Sequence, residues 1–305
     1  ADLNIEGPDQ IRGWWNSQLI ASVITFGKKP FQNILFHGFV LDPHGAKMAK
    51  SKKNIVAPKD ILKKYSRDVL RLYLLSSPPW DDFYFSWKEI DAVAKSFIII
   101  ENTFNFAETY LKRVRLTELK PEDSWVLSRL NSLIIECTKY FDRYEGHKAV
   151  ATIKDFIIND FSRTYIKLIR DRVWPAYGGD DAAFYTLYEV SKNLSRLLAP
   201  ICPFLAEDIH QKISKKYGET IDSVHLCNWP KADRQMINEG LQGMMKSALQ
   251  IVDIANGIRQ KNKIKLRWPL KTMIVEGNEN IKAAVRVFND VIKNLCNVKN
   301  VKYGT

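Results

Sequence analysis

Four lysines lie within seven residues of this chain, in the segment KMAKSKK at positions 47–53. Lys47 and Lys50 stand three residues apart with small or apolar residues between them, so their side chains can point to one side of a loop. Fixed ammonium groups of this kind stabilise the negative charge that grows on phosphoryl oxygens during nucleotidyl transfer, and losing one such donor slows a reaction ~10²–10³-fold. The alternative interpretation is a solvated polybasic turn or a localisation-like patch, and the residue types alone fit both.

A second segment that could do chemistry, IEGPDQIRGWW, occupies positions 5–15. Gly7 allows a ligand to approach the backbone, while Asp9 and Gln10 offer an acceptor and an amide suited to ribose hydroxyls and a carbonyl. Trp14 supplies an apolar wall. The alternative is a glycine-containing turn that leads into a helix and packs its aromatic residues.

The lysine segment follows a run of apolar residues. Residues 31–41 predict a buried parallel strand, followed by a turn at 43–45, and His37 and Gly38 lie within this run. Beyond the lysines, a proline near a helix start and apolar residues at helical spacing predict a helix. A strand, a polar loop and a helix in this order favour an α/β nucleotide-binding arrangement in residues 1–86.

Long helical periods dominate the rest of the chain and predict a helix bundle. The expected helices span residues 87–113, 122–143, 148–173, 182–198 and 203–217. A further helix is expected at 235–263, and two strands at 272–276 and 298–303 flank a helix at 280–295. We therefore expect a mainly α fold with an α/β part, divided into an α/β domain at 1–86, a helical domain at 87–232 and a small α+β end domain at 233–305.

A basic stripe lies on one of the predicted helices. Its members at i, i+4 and i+7 are Arg163, Lys167 and Arg170. Such a stripe meets the phosphates of a nucleic acid, and nearby Tyr165 or Trp174 offers a ring that stacks on exposed bases. The alternative interpretation is a network of ion pairs with neighbouring Asp160 and Asp171.

Composition limits the class of protein. The 305 residues carry 46 Lys and Arg against 34 Asp and Glu, and the net charge of +12 favours a polyanionic partner, although many lysine-rich proteins bind no nucleic acid. The four cysteines form no CxxC pair, so we predict no zinc knuckle, no disulfide framework and no protein-bound metal. Without a run of about 18 uncharged apolar residues or a signal-peptide pattern, we expect a cytoplasmic protein with no membrane contact.

The lysine segment resembles the KMSKS motif of class I aminoacyl-tRNA synthetases, with alanine in place of the first serine. The resemblance implies a partial Rossmann-type catalytic domain in which Lys50 is the chief ATP-binding and transition-state residue and Lys47 is its partner. We expect His37 and Gly38 to bind ATP as well. Lys53 stands where a glycine often follows the motif, which implies a stiffer and more basic loop.

The segment EGPDQIRGW at positions 6–14 is similar to the EGSDQxRGW stretch of isoleucyl-tRNA synthetases. The residues that this match assigns to the isoleucyl-adenylate are Glu6, Gly7, Asp9 and Gln10, with Trp14 packed on the isoleucine side chain. Proline occupies the motif's serine position and receives no role. The helical stretch resembles the anticodon-binding bundle of isoleucyl and valyl enzymes, and the tail resembles the next domain of archaeal and eukaryotic isoleucyl enzymes. This implies that the basic stripe and Trp174 contact tRNA.

The resemblance implies an isoleucine–tRNA ligase, which uses ATP with Mg²⁺ to form isoleucyl-adenylate and transfers isoleucine to tRNA(Ile). None of the five histidines lies in an H-x-G-H arrangement, and no long editing insertion is present. We therefore expect a carboxyl-side fragment of such an enzyme that is inactive alone. The alternatives are a tRNA-binding module without catalytic activity and a relative of valyl-tRNA synthetases.

Overall fold

The computed structural model describes residues 1–115, 117–174, 176 and 179–304, and it describes the backbone but not the side chains of Lys50, Ser214 and Lys215. These residues form two compact units, each assembled from separate parts of the chain. The first unit contains Ala1–Ile98, Glu136–Ile153 and Leu198–Leu205. The second contains Ile99–Ile135, Lys154–Leu197 and Ala206–Thr305. The domain boundaries after residues 86 and 232 rest on the sequence pattern and stay a prediction.

Short parallel strands and helices make up the start of the first unit. Its elements in chain order are β1 (Leu3–Glu6), α1 (Trp14–Phe26), β2 (Asn33–Phe36), β3 (Val40–Leu41), α2 (Pro58–Leu62), α3 (Arg67–Leu74) and β4 (Phe83–Tyr84). Strand β1 pairs in parallel with β2, and β3 pairs in parallel with β4. Because α1 connects β1 to β2, the segment is a βαβ unit, and the predicted α/β part of the fold is confirmed.

The predicted strand within residues 31–41 exists, but the prediction that it is buried was wrong. Strand β2 leaves Ile34 43% exposed and Phe36 45% exposed. A two-stranded sheet covered by one helix cannot enclose both of its faces, and within α1 the buried residue is Trp15. The apolar residues of this run therefore suit a strand that is covered on both faces. In the structure, part of the surface of β2 is exposed.

Long helices follow and confirm the mainly α class. They are α4 (Trp87–Tyr110), α5 (Pro121–Asp142), α6 (Gly146–Asp155), α7 (Lys167–Val173), α8 (Asp181–Leu198), α9 (Pro203–Tyr217) and α10 (Glu239–Lys261). The segment Phe156–Ile166 between α6 and α7 is π-helical, so the single helix expected at 148–173 is continuous but widened in its middle. The hydroxyl of Thr164 accordingly donates to the carbonyl of Asn159, five residues earlier, at 2.8 Å.

A small α+β element closes the second unit. Strands β5 (Leu270–Val275) and β6 (Val298–Tyr303) pair in parallel and are connected by α11 (Glu279–Val287) and α12 (Asn289–Cys296). The sequence predicted one helix at 280–295, but Phe288, which is only 1% exposed, separates two helices. Its backbone leaves helical geometry at φ −105° and ψ 31°. The chain therefore bends at the point where this ring enters the core.

A polar cluster lies inside the second unit. The Arg172 guanidinium donates to carboxylates of Glu122, Asp123 and Asp180 at 2.6–3.2 Å. The hydroxyl of Tyr165 donates to Asp123 at 2.7 Å, and the Asp123 side chain has no exposed area. Burial raises the pKa of Asp180, but hydrogen bonds from Arg172 and others outweigh burial and hold this pKa well below its usual range. The cluster thus pairs one guanidinium with three carboxyl groups in the interior of the unit.

Replacement of Arg172 tests this network. Because Arg172→Leu leaves Asp123 with an uncompensated buried charge, we expect the free energy of unfolding of the second unit to fall by about 3–5 kcal/mol. Urea unfolding followed by circular dichroism measures the change. Lys282→Ala removes a contact with Glu279 whose side chains are 53% and 84% exposed, and should cost less than about 1 kcal/mol. Equal effects of the two substitutions would contradict the interpretation.

Candidate functional site

The carboxyl ends of β1 and β2 lie side by side. Glu6 is opposite Phe36 in the parallel register, and the backbone N–H of His37 donates to the carbonyl of Glu6 at 3.0 Å. The residues that follow the two strands, Gly7 and His37, are therefore neighbours although 30 positions separate them in the sequence. Ligands of open parallel sheets bind in the crevice outside the carboxyl ends of the strands, so this edge is the candidate site.

Gly7 lies between a carboxylate and an imidazole. A Cβ at this position would stand 2.7 Å from Oδ1 of Asp9 and 3.8 Å from Cε1 of His37. Gly7 itself is buried, whereas Asp9 and His37 are exposed. The absence of a side chain at Gly7 thus lets the carboxylate and the imidazole approach the same stretch of backbone.

The side chain of Gln10 connects the 3₁₀ turn Pro8–Ile11 to the start of α1. Its Nε2 donates to Oδ2 of Asp9 at 3.2 Å, and its Oε1 accepts the backbone N–H of Trp14 at 3.1 Å. The Trp14 indole is 56% exposed. The predicted acceptor, amide and indole are therefore held in one short structure, with the indole open to a ligand.

Gly38 sits at a crossing of two backbone segments. Its N–H donates to the carbonyl of Pro79 at 2.8 Å, and a Cβ would lie 2.1 Å from the carbonyl oxygen of Asp81. The next residue, Phe39, donates its N–H to Oδ1 of Asp82 at 2.8 Å. No side chain fits at position 38, so this glycine has a structural role in addition to the ATP contact that we predict for it.

The lysine loop, residues 42–54, begins and ends at a polar side chain. Oδ1 of Asp42 accepts the N–H groups of His44 and Ala46 at 3.0 and 2.8 Å. Oδ2 of Asp42 accepts Nδ2 of Asn54 at 2.8 Å, and Oδ1 of Asn54 accepts the N–H of Ala49 at 2.9 Å. These hydrogen bonds, headed by that from Asn54, hold the pKa of Asp42 below its usual range. Asp42 and Asn54 are site residues that the sequence analysis missed.

Lys47 lies close to β3, which begins three residues beyond His37. Its backbone forms an antiparallel bridge with Leu41, and its Nζ stands 5.8 Å from the centre of the Phe39 ring. The backbone of Lys50 starts a short 3₁₀ turn, Lys50–Lys52, while its side chain lies outside the described part of the structure. The structure therefore links Gly7, His37 and Lys47 through contacts along β2 and Phe39, and the role of Lys50 remains a prediction.

The basic stripe of the second unit is exposed. Asp160 pairs with Arg129 at 3.1 Å, and Arg163 donates to the amide oxygen of Asn159 at 3.1 Å. Within the ranges that the structure describes, none of the three cations of the stripe forms an ion pair. The alternative of an internal ion-pair network is therefore wrong, and the stripe remains available for a phosphate backbone. The proposed stacking role of Tyr165 is also wrong, because its ring is fully buried.

A row of aromatic rings borders this stripe. The Arg170 guanidinium stands 5.9 Å above the ring of Phe106, whose centre is 4.7 Å from that of Tyr110. The centre of Tyr110 is 6.0 Å from that of Trp174, and Trp174 is 47% exposed. Cations next to aromatic rings are typical of surfaces that bind RNA. The i, i+4 spacing of Phe106 and Tyr110 was the sequence signal that we did not use.

A polar cavity of about 490 Å³ lies in the same unit, between α5, α8 and the segment 228–236. Cationic side chains that line it are those of Lys192, Arg196 and Lys231, and its rings are those of Tyr185 and Trp229. Lys192 pairs with Glu189 at 2.6 Å. The Nε of Arg196 is buried and has no hydrogen-bond partner among the described atoms. Glu189 and Asp233 also line the cavity, which thus offers charged groups of both signs and flat rings to a ligand; the sequence analysis did not detect it.

Among the described residues, every helix is too short or too polar to span a membrane. Across the same part of the chain, no group of three or more His, Cys, Asp or Glu side chains is arranged to hold a metal ion.

Two sequence families match the chain. The family described as tRNA synthetases class I (I, L, M and V) matches residues 1–86. The family described as the anticodon-binding domain of tRNA ligase matches residues 123–274. The first match includes the site at β1 and β2 together with the lysine loop, and the second includes the basic stripe and the polar cavity.

Curated relatives at 38–40% identity are isoleucine–tRNA ligases. The ligase of Archaeoglobus fulgidus is 40% identical over 310 residues, covering 99% of this chain and 30% of the relative. That of Pyrococcus abyssi is 38% identical over 317 residues, covering 100% and 30%. That of Methanothrix thermoacetophila is 40% identical over 294 residues, covering 92% and 28%. The chain therefore spans about 30% of the length of these relatives.

Solved structures of two synthetases share the fold. LeuRS of Agrobacterium radiobacter K84 agnB2, in a ternary complex with tRNA and LeuAMS, superposes with a TM-score of 0.62 at 19% identity over 78% of this chain and 29% of that one. Methionyl-tRNA synthetase of Mycobacterium tuberculosis, in complex with methionyl-adenylate, superposes with a TM-score of 0.54 at 23% identity over 68% of this chain and 43% of that one.

The backbone crossing at Gly38 gives a stability test. We expect Gly38→Ala to lower the free energy of unfolding by about 2–3 kcal/mol, since the added methyl group meets backbone and not a flexible side chain. Gly257→Ala is the matched control, because a Cβ there meets no atom within 4 Å and alanine favours the helix by up to about 1 kcal/mol. Thermal unfolding compares the two variants, and a neutral Gly38→Ala would refute the close approach.

Proposed function

We propose, on the premise that this chain belongs to the class I tRNA synthetases, that it is a segment of an isoleucine–tRNA ligase of archaeal or eukaryotic type. The observation that carries the proposal is 38–40% identity to isoleucine–tRNA ligases over 99–100% of the chain. The neighbourhood of Gly7, His37 and Lys47 supports it. A cytoplasmic location is part of the proposal.

The reaction of the longer enzyme begins with activation of the amino acid. The carboxylate of isoleucine attacks the α-phosphorus of ATP, which enters with Mg²⁺, and isoleucyl-adenylate and pyrophosphate form. A ribose hydroxyl at the end of tRNA(Ile) then attacks the acyl carbon and releases AMP. In such steps the protein mainly positions the reactants and stabilises developing charge.

The adenylate lies, in this proposal, at the carboxyl ends of β1 and β2. The backbone of Glu6 and Gly7 forms the floor, because Gly7 leaves room for a ligand. Asp9 and Gln10 face the ribose and the carbonyl of the adenylate. The exposed indole of Trp14 packs against the isoleucine side chain, which an apolar surface recognises without hydrogen bonds.

The phosphates lie on the side of the lysine loop. His37 and Gly38 reach the triphosphate from the end of β2, and the ammonium groups of Lys47 and Lys50 neutralise the charge that passes to the departing pyrophosphate. Lys47 stands over Phe39, two residues beyond His37, which is a position from which its flexible side chain can turn toward this edge. Lys50 is the residue to which we assign the larger share of transition-state stabilisation.

An uncovered apolar surface supports the idea that these residues work within a longer protein. Helix α1 exposes Ile20 to 51%, Ile24 to 79% and Phe26 to 71% of their possible area. Contiguous apolar surface of this kind usually marks an interaction site. We propose that another part of the longer ligase covers α1 and completes the ATP site, so the chain alone does not activate isoleucine.

The second unit provides the contacts with tRNA(Ile) in this proposal. Phosphates lie along the stripe of Arg163, Lys167 and Arg170, and Trp174 stacks on an unpaired base. The polar cavity suits a second unpaired base between rings and cations, with Arg196 as a donor that is still free to bond. Half-buried cations with an aromatic neighbour bind nucleotides through both charge and stacking.

Two alternative functions can be distinguished from this proposal by experiment. If the chain acts only as a tRNA-binding module, it binds tRNA and the longer protein forms no adenylate. If the longer protein is a valyl enzyme, which the matched class I family also includes, valine outcompetes isoleucine in activation. Competition between the two amino acids in the longer protein distinguishes these outcomes.

The catalytic assignment is tested by Lys50→Ala in the longer protein. We expect isoleucine-dependent exchange of pyrophosphate into ATP to slow ~10²–10³-fold, since one charged donor to the transition state is lost. Lys88→Ala, at an exposed lysine of α4, is the control and should leave the rate unchanged. An unaltered rate in Lys50→Ala would rule out its catalytic role.

The tRNA surface is tested on the chain itself. A triple alanine variant of Arg163, Lys167 and Arg170 should weaken tRNA binding, and the slope of log K against log salt should flatten by about 2 to 3, because each lost phosphate contact contributes ~0.7–0.9. A control triple variant, Lys63, Lys282 and Lys293 to alanine, removes cations that already pair with carboxylates. The stripe is the wrong surface if both variants change the slope equally.

A further inference from the structure

In the lysine loop, side-chain hydrogen bonds connect the two ends of the loop to its middle. A single amide, that of Asn54, donates to Asp42, twelve positions earlier, and accepts from the N–H of Ala49, five positions earlier. Nδ2 of Asn54 also points at the carbonyl of Lys47 at 3.4 Å. One side chain therefore touches the start of the loop, Lys47 and the residue just before Lys50.

The carboxylate of Asp42 completes this connection. It is 8% exposed and accepts three hydrogen bonds, two from backbone N–H groups of the turn and one from Asn54. Its own backbone N–H donates to the carbonyl of Ala46 at 3.0 Å. A buried carboxylate needs such donors, so the fold of the turn and the position of the Asn54 amide depend on each other.

The two lysines differ in how the loop holds them. Lys47 has a backbone fixed by the bridge to Leu41, so it belongs to the firm half of the loop. Lys50 lies in the half that runs from Ala49 to Lys53, where the N–H of Ala49 bonds to Asn54. This second half ends at Lys53, which adopts the left-handed conformation at φ 53° that glycine favours. This half is held by the Asn54 amide together with one backbone hydrogen bond, from the N–H of Lys52 to the carbonyl of Ala49 at 3.0 Å.

We propose that the pair Asp42–Asn54 is a latch that positions the lysine loop for catalysis. This inference rests on the proposed function, since it assigns the latch to the transfer of the α-phosphoryl group. The latch keeps the backbone of Lys50 at a fixed distance from that of Lys47 before ATP binds. Ordering the loop before ATP binds removes a conformational entropy cost from the transition state. Asp42 and Asn54 are positioning residues and touch no substrate.

The first test measures the loop directly in the chain as it exists. Trypsin cleaves after lysine. Cleavage after Lys47 and after Lys50, quantified by mass spectrometry, therefore reports how often the loop opens at each of these residues. We expect Asn54→Ala to raise both rates about tenfold. Asp60→Asn is the control, because Asp60 pairs with Lys63 outside the loop at 2.8 Å. Unchanged cleavage in Asn54→Ala would overturn the latch.

The second test is an exchange of the two side chains in the longer protein. Asn54→Asp and Asp42→Asn should each lower kcat of isoleucine-dependent pyrophosphate exchange about tenfold and leave KM for isoleucine unchanged. The double variant Asp42→Asn with Asn54→Asp should recover most of kcat, because the new amide at position 42 can donate to the new carboxylate at position 54. That carboxylate also still accepts the N–H of Ala49.

The outcomes separate the latch from the proposed function. If the double variant is as slow as the product of the two single effects, the pair has only a structural role and the proposal fails. If the single variants raise KM for isoleucine and spare kcat, it fails as well. Should the unmodified longer protein show no isoleucine-dependent exchange, the proposed function fails, while the trypsin experiment still decides whether the latch exists.

Discussion

The parallel pairing of β1 with β2 determines where the candidate site lies. Parallel strands end at the same edge of a sheet, so the pairing brings the loop after Glu6 to the residues after Phe36. The helix α1 between the strands makes this possible, since a parallel connection requires a crossover. Gly7 then allows Asp9 and His37 to approach one stretch of backbone. Charge from the lysine loop reaches the same end of the unit through Lys47 and Phe39.

In the second unit the corresponding constraint is the buried network around Arg172. Arg172 donates to Glu122 and Asp123 at the start of α5 and to Asp180 just before α8, so the guanidinium joins these two segments. Tyr165 of the π-helical segment joins the same network by donating to Asp123. Buried charge is tolerated where hydrogen bonds compensate it. The exposed stripe extends from the π-helical segment along α7, the helix that carries Arg172. The interior network therefore orients the helix whose outer face carries the exposed cations Lys167 and Arg170.

The sequence predicted the elements better than their contacts. Helix α9 and strand β6 begin and end at the residues that the sequence predicted. In each segment a clear pattern of apolar residues is bounded by residues that break helices or strands. Apolar residues in β2 predicted the strand correctly but not its exposure, since hydrophobicity shows suitability for burial and not the presence of cover. The π-helical segment was not predicted. Its residues show a helical pattern of burial, and this pattern does not reveal which carbonyl accepts each N–H.

The site residues also fall into two groups, those predicted from the sequence and those found only in the structure. Gly7, Asp9 and Lys47 belong to short contiguous motifs, and the resemblance of these motifs to those of a known family led to their proposal. Asp42 and Asn54 lie twelve positions apart in a loop, where neither helical nor strand periodicity predicts a contact. The approach of Tyr110 to Trp174 joins residues from different helices, and no single-sequence pattern encodes it.

The bare outer face of α1 has a thermodynamic consequence. A fold whose apolar helix needs an external cover gains part of its free energy from association, so its apparent melting temperature rises with the concentration of the covering polypeptide. If the two pieces are joined in one chain, the linker replaces that dependence with a fixed effective concentration. The first unit then gains part of its stability from the segment of the longer chain that covers α1.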